Sequence, residues 1–292
     1  QQNRKPVIQM AILLDTSNSM DGLIQQAKSQ LWKIVNEFIE AKKNGKKPDL
    51  EVALYEYGNS RLSSESGYIR QVLPLTNDLD KVSQELFALT TSGGNEFCGQ
   101  VIDRATRELA WSASSDDLKV IFIAGNEPFT QGTVDYHQSV QSAISKGVVV
   151  NTIHCGTEQE GINGKWKDGA LLADGRYLFI DQDKASVSIE APQDKPLAEL
   201  GERLNKTYIA YGVQGKAGLL NQHAQDMNAL SVSANNAANR AVFKSAAQYN
   251  SAAWDLVDAI DKGTVQFSSI NEKDLPENMQ KMTAAEQKTY ID

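Results

Sequence analysis

The chain has 292 residues, 41% hydrophobic and 23% charged, the profile of a globular protein long enough to bury a sizeable core in one large domain with an appendage or in two domains. Its net charge of -8 leaves no basic surplus for phosphates, which disfavours nonspecific binding to nucleic acid or to anionic membranes. No apolar run approaches the roughly 20 residues that cross a bilayer.

In chain order, Val7 to Leu14 is an apolar run broken once, by Gln9, as expected of a central strand covered on both faces. After a short polar loop, Leu23, Ile24, Ala27, Leu31, Ile34, Val35, Phe38 and Ile39 recur at helical spacing, with Gly45 a stop. The broken cluster Lys42, Lys43, Lys46 and Lys47 reads as a solvated helix end. Leu50 to Tyr57 alternates as a strand, and Tyr68 to Leu75 reads as an edge strand ending near Pro74. Asn77 or Asp78 caps a helix carrying Leu79, Val82, Leu86 and Phe87. The turn TTSGGNEFCG leads into a helix with Val101, Ile102, Ala105 and Leu109. Leu118 to Ala124 and Val148 to His154 are two more buried strands, separated by a helix ending at Gly147. A helix over Trp166 to Ala173, a turn at Gly175, a last strand over Tyr177 to Ile180 and a helix from about Pro196 to Asn205 complete this region.

Apolar strands alternating with amphipathic helices predict an α/β fold, a doubly wound and mostly parallel sheet flanked by helices. From Tyr211 onward the composition shifts to Ala, Asn, Gln and Ser, with Val242, Ala246, Tyr249, Ala253, Leu256 and Ile260 at helical spacing. The expected organisation is a sheet domain over 1–211 and a helical C-terminal extension over 212–292, whose polar end is a short surface helix or a frayed tail.

The loop after the first strand carries the strongest chemical signal. In AILLDTSNSM, Asp15, Ser17 and Ser19 alternate, so one loop can aim three side-chain oxygens at a single point. Hard divalent cations such as Mg²⁺ take oxygen ligands and keep several waters. Asp, Ser and Asn are equally common in turns and helix caps, so spacing alone leaves a cap and a metal site both open. In wound sheets, ligands bind beyond the carboxyl ends of the strands, and this loop leaves such an end.

Enzymatic patterns are thin. Gly-x-Ser-x-Gly is absent, and His154 is one of only three histidines, a lone residue at a strand end that reads as a hydrogen-bonded structural group. GVQGKAG at 212–218 lacks the full phosphate-loop pattern, and no Cys/His spacing predicts zinc. Trp111, Trp166 and Trp254 fall in helical patterns as core residues, and Trp32 covers an edge of the first helix. Cys98 and Cys155 are either one disulfide or two buried thiols, and only the first implies an oxidising compartment.

With the strand, the Asp-x-Ser-x-Ser loop and the following helix in place, the chain from Val7 to about Tyr211 resembles a von Willebrand factor type A domain. The loop matches that family's metal ion-dependent adhesion site at Asp15, Ser17 and Ser19. The resemblance implies a doubly wound sheet with a divalent ion on top, usually Mg²⁺ with Ca²⁺ or Mn²⁺ as alternatives. It implies an unidentified protein partner that commonly supplies an acidic group, and binding without catalysis. The family's Thr position, after a Gly-Gly turn, is taken here by Gly93-Gly94-Asn95-Glu96, and its Asp position by Ala124-Gly125-Asn126-Glu127. Glu96 and Asn126 are therefore the remaining candidate ligands, with Glu127 beside them. With Asp15 and Glu96 both bound, Mg²⁺ is formally neutral, which weakens its pull on a partner carboxylate. In the implied fold Cys98 and Cys155 fall on the same end of the sheet, where a disulfide would brace the metal face. Together with a start that reads as trimmed of a signal or lipoprotein leader, this places the protein in the periplasm or outside a bacterial cell, as an expectation. The competing reading is a structural or assembly protein whose loop is only a cap and whose C-terminal helices make the contacts.

Overall fold

The computed structural model describes residues 4–39, 41, 42, 45, 47–181, 191–247 and 249–292; of the basic cluster, Lys43 and Lys46 lie outside them. Contacts divide the chain into two units, Gln1–Val187 and Ser188–Asp292.

The first unit is the wound sheet. Its strands are β1 (Val7–Asp15), β2 (Asp49–Tyr57), β3 (Ile69–Thr76), β4 (Leu118–Gly125), β5 (Val148–Cys155) and β6 (Tyr177–Ile180), in the spatial order β3-β2-β1-β4-β5-β6. All neighbours are parallel except β3, which runs antiparallel to β2 at one edge with an irregular register. Pro74 sits inside β3, where an edge strand tolerates a missing N–H donor. The helices of this unit are α1 (Ile24–Ile39), α2 (Leu79–Ala88), α3 (Cys98–Glu108), α4 (Tyr136–Ser145), α5 (Glu158–Asn163) and α6 (Trp166–Leu172).

Because side chains alternate along a strand, β1 serves two cores. Ala11 and Leu13 join Tyr55, Ile121, Ile123 and Val150 beneath Val101, Ile102, Val140 and Trp166 of α3, α4 and α6. Met10, Ile12 and Leu14 are equally buried from the other face, where α1 packs on β1 and α2 on β2. Lys28 of α1 is buried there, donating to the carbonyls of Phe87 (3.1 Å) and Leu89 (2.6 Å) at the end of α2. The short α5 was not expected, although its capping box was legible: Thr157 and Glu160 hold each other's backbone N–H groups.

The register fixes the rim. Asp15 pairs with Tyr57, Leu14 with Ala124, and Gly125 with His154, so β1, β2, β4 and β5 end at one level. The strand order reverses between β1 and β4, and the crevice of an open parallel sheet lies at such a switch point.

The second unit is helical: α7 (Asp194–Asn205), α8 (Gly215–Val232), α9 (Ala234–Lys244), α10 (Leu256–Asp261), α11 (Glu277–Gln280) and α12 (Ala284–Ile291). The helix near Pro196, read from sequence as the close of the sheet region, packs on α9 in this unit. Amphipathicity announces an apolar face without naming what covers it. The polar C-terminal end is anchored rather than frayed: Met279 of α11 joins Ile209, Leu256 and Leu275 in a small core.

At the junction of α7, α8 and α9, Asp226 accepts from Arg240 Nε (2.9 Å) and Lys244 Nζ (2.6 Å), and Asn205 completes the cluster. Burial alone would raise the Asp226 carboxyl, but the charges of Arg240 and Lys244 and the bonds from Lys244 and Asn205 hold it below its ordinary value. Its stabilisation is therefore present above the unfolded value of 3.8 and is lost as pH falls through the lower folded one. Asp226→Asn should cost about 3 kcal/mol near neutral pH. Urea titrations of wild type and variant at stepwise lower pH should show that gap narrowing only below about pH 4.

Candidate metal centre

Asp15 is the last residue of β1, fully buried between β2 and β4. Its Oδ1 accepts from the Ser17 N–H at 2.7 Å, while Oδ2 has no hydrogen-bond partner among the described residues. The backbone N–H of Asn126 lies close enough to the carboxylate to lower it. Burial, with the nearby negative charge of Glu96 as a smaller contribution, pushes the Asp15 carboxyl up to about 7. A buried carboxylate oxygen with nothing bound to it is costly unless a cation or proton satisfies it.

The loop that follows is ordered by its own hydroxyls. Asn126 donates through Nδ2 to the Ser19 carbonyl (3.0 Å) and accepts through Oδ1 from Ser19 Oγ (3.0 Å). Ser19's one hydroxyl proton is thereby used, so in the 2.8 Å pair of Ser17 Oγ and Ser19 Oγ it is Ser17 that donates. The Ser17 side chain lies beside both Asp15 and Glu96.

Glu96 arrives from the loop before α3. Only 5% exposed, it is fixed by its N–H donating to Gln131 Oε1 (2.8 Å). Burial raises its carboxyl, with Glu127 adding to the effect. Gly58, directly after β2, lets the two carboxylates share the rim: at φ +79°, a β-carbon there would stand 2.8 Å from Asp15 Oδ1 and 2.9 Å from Glu96 Cγ. The structure thus brings Asp15, Ser17, Ser19, Asn126 and Glu96 together from three loops. The Glu127 carbonyl accepts from Trp166 Nε1 at 2.8 Å, and its carboxylate is near enough to Glu96 to act on it.

Gly58 and Gln131 were not singled out in the sequence. A Gly at the end of an alternating strand was a usable signal for the first; Gln131, 35 residues from Glu96, had none.

All donors here are oxygens, and a hard divalent cation fits them: two buried carboxylates, one with an orphaned oxygen, two hydroxyls and an amide oxygen. Among the described residues no group of three or more His, Cys, Asp or Glu is placed to hold a metal ion.

The von Willebrand factor type A domain profile matches residues 9–189. The chain belongs to this family. VWA domains often mediate metal-dependent protein binding. Solved structures of similar fold include BatB from Bacteroides thetaiotaomicron, 17% identical over 60% of this chain and 90% of that one, with a TM-score of 0.45. The SpRpn10 VWA domain is 15% identical over 61% and 89%, at 0.45. Proximal thread matrix protein 1 from the mussel byssus, with a zinc-occupied MIDAS motif, is 13% identical over 62% and 43%, at 0.45. No curated protein matches the chain significantly. Membership rests on the profile match, and the identities to solved structures speak to fold alone.

Two expectations near the site are corrected. Cys98 and Cys155 form no disulfide; both are free and buried. They do share the rim, but a common rim does not aim two sulfurs at each other. The Tyr57 hydroxyl stands 3.7 Å from Cys98 Sγ and donates to the Ala124 carbonyl at 3.1 Å. His154 is not a hydrogen-bonded structural group: neither ring nitrogen has a partner among the described residues. It lies against Trp166 at 5.7 Å between ring centroids, while the Ser17 and Ser19 hydroxyls pair with each other.

Burial pushes both thiols far above the ordinary range. Alkylation followed by intact mass should leave the folded chain unmodified and add two labels in denaturant without reductant. For Asp15, the folded value lies above the unfolded 3.8, so the metal-free fold binds the extra proton and loses stability as pH rises from about 4 to about 7. Asp15→Asn should remove that slope and stabilise the metal-free protein above pH 7 by an upper limit of about 4 kcal/mol, measured by thermal unfolding in chelator.

Proposed function

We propose that the protein is a non-enzymatic recognition module that binds a divalent cation through Asp15, Ser17 and Ser19, with Glu96 and Asn126 completing the set, and uses that rim to hold a protein partner. The observation that carries this reading is the orphaned Oδ2 of fully buried Asp15, at the sheet's switch point and beside a second buried carboxylate. The cation, when bound, would supply an open coordination position to an acidic group of the partner.

The chain's own residues set the character of the site. Gly58 removes the side chain that would part the two acids, and Asn126 fixes the Ser17–Ser19 pair with its oxygens toward the rim. Two ligand carboxylates offset the charge of a divalent ion, so attraction for a third carboxylate is weaker than with one ligand carboxylate. Mg²⁺ is the expected cation, and Ca²⁺ and Mn²⁺ suit the same oxygens. Two free thiols withdraw the disulfide as support for a periplasmic or extracellular location. Among the described residues no helix is long and apolar enough to cross a membrane.

One observation favours the assembly reading: α8 carries Leu220, Met227 and Leu230 about half or more exposed, three apolar side chains along one helix. Calorimetric titration with Mg²⁺, Ca²⁺ and Mn²⁺ separates the two. Saturable binding lost in Asp15→Ala, and weakened about tenfold or more in Ser19→Ala, is the expected result. No heat from any of the three ions sinks the metal reading and leaves the helical unit as the contact surface.

A further inference from the structure

The loop after β4 enters the candidate metal centre twice. At its start Asn126 orders Ser19, and further along Gln131 crosses to the loop before α3, where its Oε1 accepts from the Glu96 N–H at 2.8 Å. The turn that presents Gln131 is itself tied down. The Gln131 N–H donates to the Pro128 carbonyl at 3.0 Å, and the Phe129 N–H to the Gly164 carbonyl at 2.8 Å. Phe129 between them is fully buried, with its ring 5.3 Å from that of Tyr136 and 4.9 Å from that of Trp166. The acceptor offered to Glu96 is therefore carried by a loop rooted in the core.

Glu96 needs such an acceptor. It lies just before α3, and Phe97 at the cap of that helix makes no side-chain capping bond. Packing defines the path of the loop on both sides of Glu96. Gly94 passes so close over the end of β2 that a β-carbon there would stand 2.1 Å from the Gly58 carbonyl oxygen, and the Phe97 ring lies where a β-carbon on Gly132 would be 2.7 Å from it. Contacts of that kind limit approach without orienting a peptide, whereas a hydrogen bond fixes direction as well as distance. Burial raises the Glu96 carboxyl, and the Gln131 amide is among the neighbours that lower it. With Oε1 taken by the backbone, the NH2 group is the part of that amide left to a carboxylate. One side chain thus acts on the backbone and on the acid of the same residue.

We propose that Gln131 is a positioning residue that sets the preference of the site among divalent cations by holding Glu96 in one place. It need not touch the ion. Mg²⁺ demands near-ideal octahedral geometry, while Ca²⁺ accepts more oxygens in looser arrangements, so the freedom of a ligand decides between them. Asp15 is held by β1 and by the Ser17 N–H, and the two hydroxyls are ordered by Asn126. Glu96 is the donor whose freedom Gln131 controls. The inference deepens the metal reading above and rests on it.

Gln131→Met keeps the length and apolar stem of the side chain and removes both amide atoms, while Gln131→Asn keeps the amide and withdraws it from Glu96. Mg²⁺ and Ca²⁺ are titrated calorimetrically into the whole chain as wild type, each Gln131 variant, Glu96→Ala and Gln131→Met combined with Glu96→Ala. Mg²⁺ should bind about tenfold more weakly in either Gln131 variant, with a smaller loss for Ca²⁺, so that the ratio of the two affinities moves toward Ca²⁺. In the Glu96→Ala background the second substitution should change neither affinity, because the effect passes through Glu96. In metal-free protein, the Glu96 amide should exchange with solvent faster in both Gln131 variants while the cooperative thermal transition is kept. Misfolding of one variant leaves the other to decide. Equal losses for the two ions, no loss, the same loss without Glu96, or unchanged amide exchange overturns the proposal. No heat from either ion in wild type removes the metal reading and this inference together; heat in wild type with an unmoved ratio removes this inference alone.

Discussion

The structure turns on one carboxylate placed where water does not reach it. Asp15 ends the central strand β1 with neighbours on both sides, fully buried, with one oxygen bound by the next turn and the other without a partner among the described residues. A lone acid in that position opposes folding in its charged form, since desolvation of an unpaired charge is among the largest penalties in a protein interior. The backbone N–H groups of Ser17 and Asn126 relieve it only in part. The surrounding residues add a second buried acid, Glu96, and clear the space between the two with Gly58. That arrangement is disfavoured in isolation and becomes favourable when a cation lies between the acids, so the site's instability and its proposed function have one cause.

The same constraint explains why the rest of the rim is so fully tied down. Asn126, Ser19 and Ser17 form a directed chain of hydrogen bonds, and Gln131 holds the backbone of Glu96. Beneath them, Tyr57 and two protonated thiols make a packed floor without charge. Fixed oxygens over a low-dielectric floor suit a hard cation.

In the helical unit, Asp226 shows the opposite solution to burying an acid, with two cations and an amide already in place. One buried acid is completed within the chain and the other is left incomplete at a rim, and the second pattern is the one expected of a binding site.

Periodicity along the chain determined the strands β1, β2, β4 and β5, the long helices and the wound-sheet class, because burial against a neighbouring layer imposes spacing that any short window reveals. It also placed Asp15, Ser17 and Ser19 in one loop at a strand's carboxyl end, since their alternation is local. Only the tertiary structure decided what meets them. Glu96 and Gly58 reach Asp15 through the parallel register of β1 and β2 and the path of a separate loop, and no local pattern encodes that convergence. The free thiols, the unpartnered His154 and the packing of α7 on α9 were hidden for the same reason. Each depends on the direction in which a side chain or an apolar face points, and direction is settled by the elements packed against it.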